Sequence, residues 1–347
     1  MGLQERIKLF AGLGDILRNS LDGKSSVYTA QLNNLIDNQQ FKNAWFTPEN
    51  IRMAVRSIAC ELTYCNLVKW TNAYPELSQA FKPLRVAVIM AGNIPLAGFH
   101  DLLCVLLSGN SILAKTSSKD PDLIPFICSI LCDMNPEFRS RIDLTEGIVS
   151  GYDCVIATGS DNSSRYFEYY FGKYPGIIRK NRNSVAIIEG NETEDELASL
   201  GTDIFSYFGL GCRNVSKIFI PLDYDFRMMT ESWSRFSKLA DHNKYGNNYD
   251  YHKAVFMVNR EKFTDTGFLL IRESKSIPSP VAVLHFENHK SGEQVNAALE
   301  SNKDKIQCIV GRKYVPFGKS QLPALWDYAD KIDTIDFLLK KNSAGIL

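Results

Sequence analysis

Cys212 is the residue whose surroundings most favour nucleophilic chemistry. It lies in the segment Phe-Gly-Leu-Gly-Cys-Arg-Asn-Val-Ser at positions 208–216. Gly209 and Gly211 permit an unusual backbone path, and Arg213 places a positive charge next to a thiol whose reactive form is the thiolate. The residue types alone leave a second interpretation open, in which Cys212 is simply a small residue packed in a turn.

Two further segments could bind an anion. Thr158-Gly159-Ser160 follows a predicted strand and begins a predicted helix, so backbone amides at the helix start could face a group such as pyrophosphate while Gly159 allows close approach. Lys115 ends another predicted strand. Without a ligand, Thr158-Gly159-Ser160 would be a tight turn and Lys115 would be a surface lysine.

The remaining cysteines and the histidines show no metal-binding or catalytic pattern. Cys60 and Cys65, like Cys128 and Cys132, lie at helical spacing among apolar residues, which predicts that all four are buried and bind no metal. Eight cysteines in a chain with no export signal indicate reduced thiols. The five histidines are scattered, so none is assigned as a base.

Composition predicts an ordinary globular protein of two domains. The chain has 347 residues, more than one hydrophobic core normally accommodates. Its 39 basic residues balance its 39 acidic residues, so no global charge attracts nucleic acid or anionic membranes. No apolar run approaches the roughly 20 residues of a membrane helix, and the N-terminal segment lacks a signal-peptide core. We therefore expect a cytoplasmic protein.

Helices dominate the first 80 residues, and strands alternate with helices after them. Early helices are predicted over residues 3–20, 26–38 and 47–70. Strands are then predicted over 85–90, 111–115, 154–157 and 184–188, separated by helices over 99–107, 121–132, 162–171 and 193–207. Beyond these we predict a strand over 215–221, a helix to about residue 240, a polar loop over 242–251, and strands over 254–258, 281–286 and 306–310. This alternation predicts an α/β fold with a mostly parallel, doubly wound sheet.

Five motifs occur in the order and approximate spacing found in aldehyde dehydrogenases, which the chain resembles. They are Gly-Asn-Ile-Pro-Leu at 92–96, Gly-Asn-Ser at 109–111 leading to Lys115, Thr-Gly-Ser at 158–160, Gly-Cys at 211–212 and Val-Pro-Phe-Gly at 315–318. Three others resemble the acyl-CoA reductase branch, which is related to the fatty acid reductase of bacterial luminescence: Asn-Ser-Val-Ala at 183–186, residues 207–215, and Tyr-Gly-Asn-Asn-Tyr-Asp-Tyr at 245–251. The resemblance covers nearly all of the chain after residue 80.

The resemblance implies a fold and a division into domains. An aldehyde dehydrogenase-like protein has a Rossmann-like cofactor domain and an α/β catalytic domain. We place the N-terminal helices and the dinucleotide-binding domain at residues 1–183, the catalytic domain at 184–330, and a C-terminal tail that folds back near the cofactor at 331–347.

The resemblance also implies roles for two residues in acyl transfer. Cys212 would attack a thioester carbonyl, expel the thiol and hold the acyl group until hydride releases it as an aldehyde. Asn93 would donate its side-chain amide to the developing oxyanion, together with the Cys212 backbone N–H. Asn93 has an alternative structural role, which is to form the turn before Pro95.

The same resemblance implies which residues bind the cofactor. Lys115 would contact the adenosine ribose, and Thr158, Gly159 and Ser160 would lie at the pyrophosphate. Ser118 stands where many NAD-preferring relatives have a glutamate, and a serine there would not repel a 2'-phosphate. With Lys119 beside it, the sequence favours NADPH over NADH.

Two departures from the aldehyde-oxidising pattern favour thioester reduction. Ile178 lies about where those relatives carry the glutamate that activates water, and Ser-Ile-Pro-Ser-Pro at 276–280 replaces a second glutamate motif. We therefore expect an oxidoreductase that uses NADPH to reduce a fatty acyl thioester, from acyl-CoA or acyl carrier protein, to the aldehyde. The alternatives are a reductase of another activated acyl group and a catalytically silent acyl-carrier-binding partner. A homo-oligomer remains open.

Overall fold

The computed structural model describes residues 1–159 and 161–343. Its α-helices are α1 Leu3–Leu21, α2 Val27–Lys42, α3 Pro48–Glu61, α4 Tyr64–Thr71, α5 Phe99–Leu107, α6 Leu123–Met134, α7 Asp161–Phe171, α8 Glu194–Phe205, α9 Arg227–Ser232, α10 Asn243–Val258, α11 Gly292–Ser301 and α12 Thr334–Ser343. Its strands are β1 Arg85–Ile89, β2 Ser111–Lys115, β3 Ile142–Thr145, β4 Cys154–Thr158, β5 Gly176–Arg179, β6 Asn183–Ile187, β7 Val215–Pro221, β8 Thr264–Asp265, β9 Leu270–Glu273, β10 Val283–His289 and β11 Ile306–Val310.

The chain divides into two compact units, each built on one sheet. The first unit comprises Met1–Lys180 and the chain from Ala324 onwards, and the second comprises Asn181–Pro323. Alternating strands and helices thus give an α/β architecture, as the sequence predicts. The assignment of cofactor binding to residues 1–183 and of catalysis to residues 184–330 stays a prediction.

The first unit contains a five-stranded parallel sheet in the order β3-β2-β1-β4-β5. Chain order reverses between β1 and β4, and ligands of doubly wound folds bind at such a reversal, beyond the carboxyl ends of the strands. Apolar side chains of β1, β2 and β4 build one face of the core, including Ala87, Leu113 and Val155. Helix α12, within the tail that the sequence left without secondary structure, packs on α5 in this unit.

The second unit contains a six-stranded sheet in the order β11-β6-β7-β10-β9-β8. All pairings are parallel except that of β8 with β9. The core on one side is formed by α8, β7 and their neighbours around the fully buried Trp233. Strand β7 is central, and the segment that carries Cys212 leads directly into it.

Two sequence predictions were wrong in the second unit. The polar loop at 242–251 and the strand at 254–258 together form one helix, α10. Its buried residues Tyr245, Tyr249 and Phe256 are spaced by four and seven, which places them on one face, and His242 caps its start. Asn and Gly lower the intrinsic helix propensity of this segment, but packing of the aromatic face overrides it.

Two other predictions need correction in the first unit. The helix predicted over 47–70 is two helices, because the chain breaks at Leu62 and Thr63 caps α4 by accepting the Asn66 N–H. Cys60 and Cys65 therefore lie on different helices, and both are exposed rather than buried. Cys128 is buried, and Cys132 is half-buried.

Candidate active site

Three strand ends meet at the carboxyl edge of the first sheet. Ile89 of β1 lies opposite Lys115 of β2 on one side and Ala157 of β4 on the other. The loops that follow these strands carry the predicted site residues of this unit. Asn93 is exposed in the loop after β1, Lys115 is half-buried at the end of β2, and Ser118 is exposed in the turn beyond it.

Thr158 ends β4, and Gly159 follows it at the start of the turn into α7. A Cβ atom on Gly159 would lie 2.7 Å from Phe167 Cε2 and 2.8 Å from Ser163 Cβ. Glycine is therefore required there for the close approach of α7, whether or not a ligand is bound. Ser160 lies outside the described residues.

Asp120 joins the loop after β1 to the loop after β2. Its carboxylate is 3% exposed and accepts hydrogen bonds from the backbone N–H groups of Leu96 (2.9 Å) and Leu123 (3.4 Å). Leu96 has a left-handed backbone, with φ at 60°. Burial raises the pKa of Asp120 to about 6, although the two backbone hydrogen bonds act in the opposite direction. No motif drew attention to Asp120.

The same two loops are also in van der Waals contact. A Cβ atom on Gly92 would collide with the Ser117 side chain, and its distance to the Lys119 Cβ would be 3.1 Å. Gly92 thus lets the loop that carries Asn93 lie directly on the loop that carries Ser118. Asp120 and Gly92 thus hold the loop that carries Asn93 against the loop that carries Ser118.

A buried ion pair lies at the end of β5. Arg179 Nη1 is 2.5 Å from Asp101 Oδ2, and the two side chains are 3% and 8% exposed. Burial alone would lower the pKa of Arg179, but the Asp101 carboxylate outweighs it and the net shift is upward. Arg179 also donates to the Thr158 hydroxyl at 3.4 Å and the Thr334 hydroxyl at 3.0 Å. The neighbouring Ile178 is half-buried and, by strand alternation, faces the opposite side of the sheet.

In the second unit, an unusual backbone path precedes Cys212. Tyr207, Phe208 and Gly209 have φ values of 51°, 57° and 77°. Left-handed backbone is costly for aromatic residues, and it persists only where the surrounding structure holds it. Tyr207 and Phe208 are buried, whereas Cys212 is partly exposed. This path ends the helix predicted over 193–207 at Phe205.

The Arg213 side chain is largely buried and does not extend freely into solvent beside the Cys212 thiol. It is 9% exposed, and its Nε donates to the Ser320 carbonyl at 2.5 Å. Asp203, which is fully buried, accepts from the backbone N–H groups of Gly318 (2.6 Å) and Ser320 (2.9 Å). Arg213 therefore connects the segment of Cys212 to Ser320, and Asp203 connects α8 to the end of the Val-Pro-Phe-Gly motif, within this unit.

Ser184 contacts both Cys212 and a second cysteine. Its hydroxyl donates to the Cys212 carbonyl at 3.0 Å and accepts from the Cys308 N–H at 3.2 Å, and the Cys308 Sγ lies 3.1 Å away. The pairing of β6 with β7 shifts register at Ser184, and that of β6 with β11 shifts between Ile306 and Ile309. Irregular pairing on both sides of Ser184 changes the direction of its hydroxyl, which points to the segment that carries Cys212. Ser184 lies in the Asn-Ser-Val-Ala motif, but nothing in that motif predicts these contacts.

Residues 276–280, which are predicted from the sequence to replace a second glutamate motif, lie next to three side chains that bond to the backbone at 275–277. Lys217 Nζ lies 3.0 Å from the Lys275 carbonyl, and Ser216 donates to the Ile277 carbonyl at 2.7 Å. His285 Nδ1 lies 3.2 Å from the Ser276 carbonyl, and burial lowers the pKa of His285 to about 4. A neutral His285 that donates from Nδ1 satisfies this geometry and helps to hold the segment.

An aromatic cluster covers the left-handed segment. The Phe208 ring lies 4.4 Å from the His242 ring and 6.0 Å from the Tyr245 ring, measured between centroids. Tyr245 is 2% exposed, and its hydroxyl has no hydrogen-bond partner within the described part of the chain. Burial raises the pKa of Tyr245 far above its usual value, so it stays neutral.

Comparison with known proteins identifies the family. A family model described as acyl-CoA reductase (LuxC) matches residues 24–228, more than half of the chain. The chain belongs to the LuxC acyl-CoA reductase family. The resemblance inferred from the motifs is confirmed, and the LuxC match includes Asn93, the strand ends of the first sheet and Cys212.

Relatives of this LuxC-family chain are reductases of bacterial origin. It is 26% identical over 207 residues to a long-chain acyl-protein thioester reductase of Aliivibrio fischeri, an alignment that covers 54% of this chain and 42% of that protein. It is 23% identical over 192 residues to long-chain acyl-protein thioester reductase 2 of Photobacterium leiognathi, covering 50% and 40%. The matched region thus spans less than half the length of either relative.

Solved aldehyde dehydrogenases share the fold. A Mycobacterium tuberculosis aldehyde dehydrogenase complexed with NAD⁺ superposes with a TM-score of 0.62 at 15% identity, over 86% of this chain and 71% of that one. The NAD⁺ complex of a Bacillus cereus aldehyde dehydrogenase gives 0.60 at 13% identity, over 89% and 72%. The aldehyde dehydrogenase-like fold predicted from the sequence is confirmed.

The described residues contain neither a candidate metal site nor a membrane-spanning helix. Residues 1–159 and 161–343 contain no cluster of three or more His, Cys, Asp or Glu side chains that could hold a metal ion. Within the same ranges, every helix is too short or too polar to cross a lipid bilayer.

Proposed function

We propose that this LuxC-family chain reduces fatty acyl thioesters to aldehydes, with NADPH as the reductant and Cys212 as the residue that carries the acyl group. The observation that supports this most is the cysteine-bearing segment itself. Three successive left-handed residues precede the partly exposed Cys212, and the Ser184 hydroxyl bonds to its backbone carbonyl, just before β7 begins. A cysteine that only filled space in a turn would not need such support.

Acyl transfer would begin with the Cys212 thiolate. It attacks the thioester carbonyl carbon, the carbonyl π-electrons move to oxygen, and collapse of the tetrahedral intermediate expels the thiolate of the donor. Asn93 would donate its side-chain amide to the oxyanion together with the Cys212 N–H. The acyl group then remains on Sγ as an enzyme thioester. The donor is acyl-CoA or an acyl carrier protein, and the names of the two reductases support an acyl-protein thioester.

The carboxyl edge of the first sheet fits a nicotinamide dinucleotide. Lys115, Ser118 and Lys119 offer cationic and hydroxyl groups at the end of β2. Of the two carboxylates in the loop that follows, Asp120 is buried and bonded to Leu96, and Asp122 is paired with Lys42. Lys115 would hold the adenosine ribose, and Thr158, Gly159 and Ser160 would lie at the pyrophosphate. Bound NADPH supplies the hydride that converts the enzyme thioester to an aldehyde.

Reduction is favoured over hydrolysis because the chain lacks a carboxylate where aldehyde-oxidising enzymes activate water. The half-buried Ile178 stands about there, and the adjacent Arg179 is paired with Asp101. Without a positioned base, water attacks the enzyme thioester slowly. Cys212 therefore keeps its acyl group long enough for hydride transfer.

A substrate panel tests this function. The purified protein is given NADPH and a saturated acyl-CoA series, an acyl phosphate and the free acid, and aldehyde is trapped as its hydrazone and identified by mass spectrometry. Aldehyde formed from acyl-CoA in step with NADPH oxidation is expected. Aldehyde from acyl phosphate alone would point to another activated acyl group, and no aldehyde with any donor would refute the proposal.

A further inference from the structure

Asn214, two residues after the candidate nucleophile, has a side chain that links four backbone groups. It is 1% exposed. Its Oδ1 accepts the Gly211 N–H at 2.8 Å, and its Nδ2 donates to the carbonyls of Ser206 at 2.8 Å, Asp203 at 3.1 Å and Ile204 at 3.3 Å. Amide donor and amide acceptor are both used, and they bond to opposite ends of residues 206–211, which lead into Cys212.

The donor side of Asn214 caps helix α8. Carbonyls in the last turn of a helix have no partner within the helix, and the next residues of the chain commonly satisfy them. Here the chain turns away through the left-handed residues Tyr207 and Phe208. The carbonyls of Asp203 and Ile204 are instead satisfied by a side chain ten or eleven residues further on.

The acceptor side of Asn214 closes the turn that presents Cys212. Its backbone N–H donates to the Gly211 carbonyl at 3.0 Å, while its side chain accepts the Gly211 N–H. Cys212 and Arg213 are therefore the two central residues of a turn whose ends are bonded twice. Residues 206–211 are thus held at both ends by Asn214.

We propose that Asn214 is a positioning residue for Cys212: its buried amide ties the end of α8 to the Gly211–Asn214 turn and so fixes the thiol in its attacking position. The inference rests on the proposed function, because it takes Cys212 to be the nucleophile. It concerns the rate of attack by the thiol and not the binding of the cofactor, whose residues lie in the other unit.

Asn214→Asp tests the donor side of the amide separately from the acceptor side. The carboxylate keeps an acceptor for the Gly211 N–H but faces three carbonyl oxygens with a negative charge instead of a donor. The matched control is Asn302→Asp. Asn302 also caps a helix, since its Nδ2 donates to the Ala298 carbonyl of α11 at 2.9 Å, and no role in the candidate site is assigned to it.

The test follows Cys212 by two independent reactions. Peptide mass spectrometry measures the rate of its alkylation by iodoacetamide, and intact mass measures its acylation by palmitoyl-CoA. For Asn214→Asp we expect the acylation rate to fall about 10-fold or more, because misplacement by about 1 Å is enough to cost an enzyme reaction that much. We also expect the alkylation rate to change, because it depends on the exposure and ionisation of the thiol, which the turn sets. The KM for acyl-CoA and the Kd for NADPH should change little. Asn302→Asp should leave both rates within about 2-fold of the wild type.

A pH profile tests whether the lost donor of Asn214 causes the defect. As the pH falls, the new carboxyl in Asn214→Asp becomes protonated and regains one donor, so its acylation rate relative to the wild type should rise. Asn214→Ser introduces no group that titrates in this range, so its ratio to the wild type should stay constant. Asn214→Ser, which keeps a smaller donor and acceptor, serves if the aspartate variant does not fold.

The outcomes are distinct. A folded Asn214→Asp or Asn214→Ser variant whose Cys212 reacts at the wild-type rate with both reagents overturns the inference. Wild-type protein whose Cys212 is alkylated but never acylated overturns the proposed function, and the alkylation rates still decide the role of Asn214.

Discussion

The buried carboxylate of Asp120 accepts a hydrogen bond from the Leu96 backbone N–H at 2.9 Å. This contact joins the loop that carries Asn93, proposed to stabilise the oxyanion, to the loop that carries Ser118, proposed to contact the cofactor. Both loops follow neighbouring parallel strands, so one buried side chain can reach both. Asp120 therefore holds the two loops together.

Asp120 should make stability depend on pH. Its pKa is raised from 3.8 to about 6, mainly by burial, so the folded state binds more protons than the unfolded state between these values. Lowering the pH therefore stabilises the fold through this group. Relative to Asp120→Asn, the wild-type free energy of unfolding should rise by about 1.4 kcal/mol from about pH 7.5 to about pH 5.

Urea unfolding of both proteins across this range measures the difference. Asp37→Asn, which changes an exposed carboxylate on α2, is the control and should show no such trend. A constant difference between the wild type and Asp120→Asn would mean that Asp120 is solvated, contrary to the structure.

The local sequence pattern predicts the helices and strands more accurately than it predicts the long-range contacts. The bounds of α5, β2, β7 and β11 agree with the sequence predictions because each is a short apolar run between clear turn residues. Helix α10 was missed because its buried aromatic face depends on a partner surface that the sequence does not display. The roles of Asp120, Ser184 and Asn214 were missed because each bonds to backbone groups of other segments. No local pattern predicts such contacts, even though Ser184 and Asn214 lie in motifs that resemble the family's.

The cofactor preference should depend on Ser118. We expect NADPH to bind more tightly than NADH, and Ser118→Glu to weaken NADPH binding more than NADH binding, because a new carboxylate repels the 2'-phosphate. The differential effect should be about 1 kcal/mol in a partly exposed site. Titration by cofactor fluorescence measures both dissociation constants. Ser140→Glu, at another exposed position, is the charge-matched control. Equal weakening of both cofactors would show that Ser118 does not face the 2' position.

The acyl-enzyme should be long-lived without cofactor. General-base activation of water contributes about 10²- to 10⁴-fold, and the chain has Ile178 where such a base is expected. Single-turnover product analysis should show aldehyde as the main product after NADPH is added, and free fatty acid as a minor one. In the reverse direction, aldehyde and NADP⁺ should yield thioester only when a thiol such as CoA is present.

A carboxylate introduced at this position offers a second test. Ile178→Glu should increase the share of fatty acid, whereas Ile178→Gln, the uncharged control, should not. Predominant fatty acid from the wild type would mean that another residue activates water, and that the protein is an ordinary aldehyde dehydrogenase.

The Tyr245 hydroxyl, which has no hydrogen-bond partner among the described residues, should contribute nothing favourable to stability. A buried hydroxyl with no partner costs free energy, so Tyr245→Phe should leave the unfolding free energy unchanged or raise it by up to about 1 kcal/mol. Tyr249 is on the same helix, and its hydroxyl donates to Asp265 at 2.5 Å. Tyr249→Phe should therefore lower stability by about 1–2 kcal/mol. Chemical denaturation compares the two, and similar losses in both variants would show that Tyr245 has a partner in solution.

The central claim is that Cys212 carries the acyl group, and intact mass spectrometry after incubation with acyl-CoA tests it most directly. In the absence of cofactor, the wild type should gain one acyl mass, which peptide mapping should place on Cys212. Cys212→Ser should gain none, because the serine alkoxide is much harder to form than the thiolate, while its affinity for NADPH stays nearly unchanged. Undiminished acylation of Cys212→Ser, or an acyl group found on another cysteine in the wild type, would contradict the account.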